Sequence, residues 1–195
     1  MVFTETMVAL LKELDGYDYK IYMSWDKHIP DAHNYLVGRA LDEGADYVLL
    51  LEEDVVMPEG SLKEMIGKGD IVTIDYGVNG WSCITTYQGE NLWCSTGLTL
   101  VKREVFEALE KPYFRSDKSL LLNDWPEIKW IDAGEQAYGG HDIYFGIKAR
   151  EKGFKITKVD GEARHLRLES LGRPEINKGL HQIADKEKIS KHNEL

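Results

Sequence analysis

Glu52 and Asp54 stand two residues apart where an almost unbroken apolar run, residues 46–52 (DYVLLLE), gives way to acids and then to Pro58. In an extended segment, side chains two apart project to the same side, so these carboxylates would face one point. A continuous apolar run of strand length is what a strand buried on both faces looks like. In α/β sheets, ligands gather at the carboxyl ends of such strands. A carboxylate buried there needs a cation or a donor to offset its desolvation. Hard divalent cations such as Mg²⁺ and Mn²⁺ take oxygen ligands and keep positions open for phosphate oxygens. The other reading of the same residues is a solvated acidic turn between a strand and a helix. Asp142, at the start of a helix, has an equally plain alternative in capping, which suits aspartate and the helix dipole.

The elements that must position these acids follow from periodicity. Residues 4–14 place Met7, Leu10, Leu11 and Leu14 on one helical face, with Thr4 or Thr6 as cap. A short strand is predicted at Tyr19–Met23. A second helix is predicted from a cap at Asp31, through Leu36, Val37, Ala40 and Leu41, to a stop at Gly44. After the apolar strand come a short helix at residues 61–66 and a strand at 70–76. A hairpin of 82–87 with 91–101 turns at Gln-Gly-Glu, and a helix covers 103–109. Residues 111–138 have no clear period and carry Trp125 and Trp130, which suggests a lid, a substrate wall or a disordered stretch. A helix at 142–152, closed by Gly153, leads into a strand at 154–159. The expected fold is a single α/β domain over residues 1–169, its mixed, mostly parallel sheet flanked by helices and carrying a small antiparallel hairpin. Residues 170–195 read as a polar tail or surface helix.

Four stretches resemble the GT-A fold glycosyltransferases, in particular those of family 2. Residues 47–58 (YVLLLEEDVVMP) look like the region of the D-x-D motif. Asp31-Ala32-His33-Asn34 with Leu36-Val37 looks like the helix that precedes it. Residues 92–106 (LWCSTGLTLVKREVF) are similar to the strand whose glycine lets the acceptor approach the backbone, here Gly97. The bland alternative for Gly97 is a bulge or a turn. Residues 138–156 (YGGHDIYFGIKAREKGFKI) resemble the segment whose helix-opening acid contacts the acceptor, here Asp142, with His141 in place of the more familiar Glu.

The resemblance implies a divalent cation, Mn²⁺ or Mg²⁺, held by Glu52, Asp54 and a late histidine, His165. It implies a nucleotide-diphosphate sugar donor near Glu52, Glu53, Asp54, Asn34, Gly97 and His141, and a hydroxyl-bearing acceptor facing Asp142 as catalytic base. Trp81, Trp93, Trp125 and Trp130 are candidates for the acceptor wall, and Arg173 and His181 for the diphosphate. Such domains normally open with a buried strand ahead of the first helix, and no such run precedes residue 4 here. The alternatives are a truncated chain, a slot filled by another segment or subunit, as in a swapped arrangement or homodimer, and impaired nucleotide binding. A non-catalytic nucleotide-sugar or carbohydrate-binding module is the alternative function. A nucleotidyltransferase would need a Gly-rich basic phosphate loop, which is not visible.

Composition agrees with an ordinary globular domain, 43% hydrophobic and 30% charged. The net charge of −10 argues against a broad nucleic-acid or anionic-membrane footprint. No apolar run reaches the ~18 residues of a membrane span and no signal peptide is visible, so a cytoplasmic setting is expected. Cys83 and Cys94 are expected to be reduced thiols there. The final His-Asn-Glu-Leu is read as a chance likeness to a retrieval signal.

Overall fold

The computed structural model describes residues 4–78, 81–121, 129–132 and 140–166. The helices are α1 (Thr4–Glu13), α2 (Ile29–Asp42), α3 (Ser61–Met65), α4 (Arg103–Ala108) and α5 (His141–Glu151). The strands are β1 (Tyr47–Leu51), β2 (Val55–Val56), β3 (Ile71–Val78), β4 (Trp81–Ser82), β5 (Ile84–Tyr87), β6 (Glu90–Cys94), β7 (Leu98–Lys102), β8 (Lys118–Leu121), β9 (Lys129–Asp132) and β10 (Ile156–His165). Trp125, Arg173, His181 and the predicted tail lie outside the described residues, as does the side chain of Trp81.

The central sheet runs β1-β7-β3-β10-β2, with β4 beside β3. It is mixed, as the sequence suggests, but it is not mostly parallel in its pairings. Only β3 and β10 pair in parallel, while β7 runs antiparallel to both β1 and β3. The reason lies in the chain between β3 and β7. The hairpin β5-β6 turns it back without a crossover helix, and parallel neighbours need such a crossover. Even so, β1, β3 and β10 point the same way, so their carboxyl ends share one edge with the start of β7.

Alternation along the strands divides the apolar side chains between two faces. Val48, Leu50, Ile71 and Val101 pack with Val37 and Ala40 of α2, Phe106 of α4 and Phe145 of α5. Val72, Ile74, Leu98 and Leu100 pack with Leu10 of α1, Leu14 just beyond it, and Leu62 and Met65 of α3. Phe106 and Phe114 both stack on Phe145, with centroids 5.5 and 4.9 Å away. Removing a core ring of this kind typically costs about 3–5 kcal/mol. Helix α5 comes unusually close to β6: a Cβ on Gly146 would lie 2.6 Å from Cβ of Trp93. The Glu13 carboxylate ties α1 to α3 by accepting from the Gly60 and Leu62 N–H groups at 2.6 and 2.9 Å.

Four local expectations change. The second helix begins at Ile29 with Pro30 in its first turn, and His28 rather than Asp31 occupies the cap position; proline's fixed φ suits that turn. The run predicted as one strand at 91–101 is split by Ser95-Thr96-Gly97 into β6 and β7, which belong to different sheets. Residues 19–23 join no sheet. The last strand continues to His165, through a register shift between Val159 and Ala163 around Gly161 at φ +145°. The aperiodic stretch 111–138 contains the hairpin β8-β9, which lies against α5 through Trp130 and Tyr144, ring centroids 5.2 Å apart. Cys83 and Cys94 are free thiols, and burial pushes both up to about 12.

Candidate active site

At the shared strand edge, three chain segments meet. Glu52 follows β1 directly, and its N–H donates to the Gly97 carbonyl at 3.0 Å. Asp54 lies in the tight turn between β1 and β2, and only 4% of it is exposed. The end of β10 pairs with β2, setting His165 opposite Val55, while the Leu166 N–H donates to the Asp54 carbonyl at 2.8 Å. This pairing carries His165 from a distant part of the sequence to the acids. Glu52, Asp54 and His165 each offer a ligand atom, and these atoms all lie within 4.8 Å of one another.

The cluster fits a cation on two counts. His165 Nδ1 is buried without a hydrogen-bond partner and lies 3.9 Å from Asp54 Oδ2, a gap that a shared ion would bridge. The donor set, two carboxylates and one imidazole, is mostly anionic oxygen, which suits a divalent cation such as Mn²⁺ or Mg²⁺.

Tyr76, near the end of β3, lies beside this cluster. Its ring lies 5.9 Å from that of His165, and its hydroxyl and that of Ser95 hydrogen-bond at 2.6 Å. Burial, and then the charges of Glu52 and Asp142, hold that hydroxyl protonated far above neutral pH. The segments around Glu52, Gly97 and His165 thus meet beside this phenol.

Gly97 has a role other than open space. A Cβ there would sit 2.0 Å from the Tyr76 hydroxyl and 3.2 Å from the Glu52 carboxyl carbon. The room that a side chain would need is already filled by these two groups. Ser95-Thr96-Gly97 thus forms a shelf that each part of the site rests on: Ser95 holds Tyr76, Thr96 lies 3.2 Å from His141 Nε2, and Gly97 accepts from Glu52.

Asp142 is the second residue of α5; Gly140, not Asp142, takes the cap position. Its Oδ1 accepts from the Ile143 N–H at 2.8 Å. Burial raises its carboxyl to about 6, outweighing the backbone donors that lower it. An acid poised there is ionised at neutral pH yet basic enough to take a proton. Behind it lies a dry pocket. His141 and His33 have ring centroids 5.3 Å apart, and His33 packs on Phe114 at 5.0 Å. Burial lowers His33 to about 3, helped by the His141 charge, and lowers His141 to about 4, so both are neutral at pH 7. Asn34 is turned to this same pocket: its amide donates to the Phe114 carbonyl at 2.8 Å and accepts from the Phe114 N–H at 3.1 Å. Its visible work is to fix Phe114, not to face the acid cluster. Glu53 sits half-buried in the turn beside Asp54. Trp93 and Trp130 are half-buried, Trp93 with its main chain against α5.

Sequence reading missed Tyr76, Ser95 and Thr96. Tyr76 closes a predicted strand at the same edge as Glu52, and that placement was the available signal. Ser95 and Thr96 gave none, because β-compatible residues flank them on both sides.

No family model matches the chain, and no curated protein matches it. Among solved structures, A197 from STIV superposes with a TM-score of 0.52 at 18% identity, over 78% of this chain and 74% of that one, a likeness of fold. A glycosyltransferase involved in the glycosylation of the major capsid of PBCV-1 superposes at a TM-score of 0.40 and 14% identity, over 80% of this chain and 74% of that one. So slight a superposition carries no inference about activity.

Proposed function

We propose that the chain is a metal-dependent glycosyltransferase, moving a sugar from a nucleotide-diphosphate donor to a hydroxyl acceptor. The observation that carries this reading is the pairing of two features across Tyr76: a cation-ready cluster with an orphaned imidazole nitrogen, and a carboxyl raised to about 6. Glu52, Asp54 and His165 would hold Mn²⁺ or Mg²⁺. A bound cation supplies charge neutralisation for the departing diphosphate, an effect worth several kcal/mol. Asp142 would orient the acceptor hydroxyl and, if configuration is inverted, take its proton. The Tyr76 hydroxyl, kept protonated, can donate toward an oxygen in the space between the two acids. His33, His141 and Phe114 exclude water behind Asp142 and so keep its basicity high.

The same acids could serve a module that binds a nucleotide-sugar without transferring it. That reading is favoured by the outer edge of β1, which has no strand partner among the described residues.

A thermal-shift panel of UDP-, GDP- and dTDP-sugars with and without Mn²⁺ tests binding, because a ligand at 100 times its dissociation constant adds about 2.7 kcal/mol. Release of free nucleotide in the presence of acceptor separates transfer from binding. Asp54→Ala is expected to weaken Mn²⁺ binding at least about 10²-fold while the fold survives. A folded Asp54→Ala protein with unchanged Mn²⁺ affinity would sink the assignment.

A further inference from the structure

We draw no further inference here: the strongest candidate, the exposed apolar row of Tyr19, Ile21, Met23 and Trp25 on the segment between α1 and α2, carries nothing, because Lys20 beside it is held by Glu43 of its own chain at 2.6 Å and nothing among the described residues shows what covers the row.

Discussion

The two sides of the Ser95-Thr96-Gly97 shelf handle charge in opposite ways. On one side, Glu52, Asp54 and His165 crowd polar atoms together and leave an imidazole nitrogen without a partner. On the other, two imidazoles and a phenyl ring pack together, burial lowers the histidines to about 3 and about 4, and burial raises the neighbouring Asp142 carboxyl to about 6. The proposed transfer would draw on both environments, one to hold a cation and one to keep a base. Three consecutive residues separate them, so local backbone geometry sets the boundary between wet and dry.

The largest expected effect comes from exchanging the raised carboxyl for an amide. Asp142→Asn should reduce transfer by about 10²–10⁴-fold, the usual worth of a general base. It should also stabilise the protein. A carboxyl whose folded pKa is about 6, against an ordinary value of 3.8, binds its proton more tightly in the native state. Between those values the folded form therefore holds more protons than the unfolded one, and stability falls as pH rises through the window. Removing the group should return about 1–3 kcal/mol at pH 7 and nothing near pH 3. Thermal melts at both pH values check the sign, and equal shifts at both would break the contrast between the two sides.

How much of this was visible beforehand depends on which interaction fixed each residue. The strand at Tyr47–Leu51 announces itself by its apolar run, and the helix at His141–Glu151 by its closing glycine and by the resemblance, so the acids at their ends were legible. So was His165 as a companion, through the resemblance, although its strand was expected to end at Val159. The Asp160-Gly161 pair reads as a turn, and only the pairing of β10 with both β3 and β2 carries the strand through it. Tyr76 and the shelf were not legible, because their roles arise from contacts between segments far apart in sequence. The stretch at Tyr19–Met23 is predicted as a strand but joins no sheet among the described residues, because a strand is completed by its neighbour, which the sequence does not name.

Gly97→Ala probes the boundary itself. The added methyl would overlap the Tyr76 hydroxyl at 2.0 Å and press on Glu52 at 3.2 Å, with Tyr76 confined by its bond to Ser95. Overpacking of this kind typically costs about 1–3 kcal/mol. Because both sides rest on the shelf, Mn²⁺ affinity and the pH midpoint of transfer should move together. Loss of one with the other intact would mean that the sides are not coupled through Tyr76. The measurement is one titration series and one pH profile on the same preparation.

His33→Leu should have the smallest effect at neutral pH and the most telling one in acid. Both histidines have folded pKa values below the ordinary 6.5, about 3 for His33 and about 4 for His141. Below pH 6.5 the unfolded chain takes up protons that the folded chain refuses, so stability is present above that pH and drains away as pH falls. Asp142 pulls in the other direction between pH 6 and 4, but it is one group against two. Wild-type protein should therefore lose on the order of 1–3 kcal/mol between pH 6.5 and 4. His33→Leu removes one of the two proton sinks while keeping an apolar contact for Phe114, so its loss over that window should be clearly shallower. Denaturant midpoints at pH 7, 5.5 and 4 decide the matter, and parallel curves for the two proteins would show that the pocket around His33 is wetter than its packing against Phe114 and His141 implies.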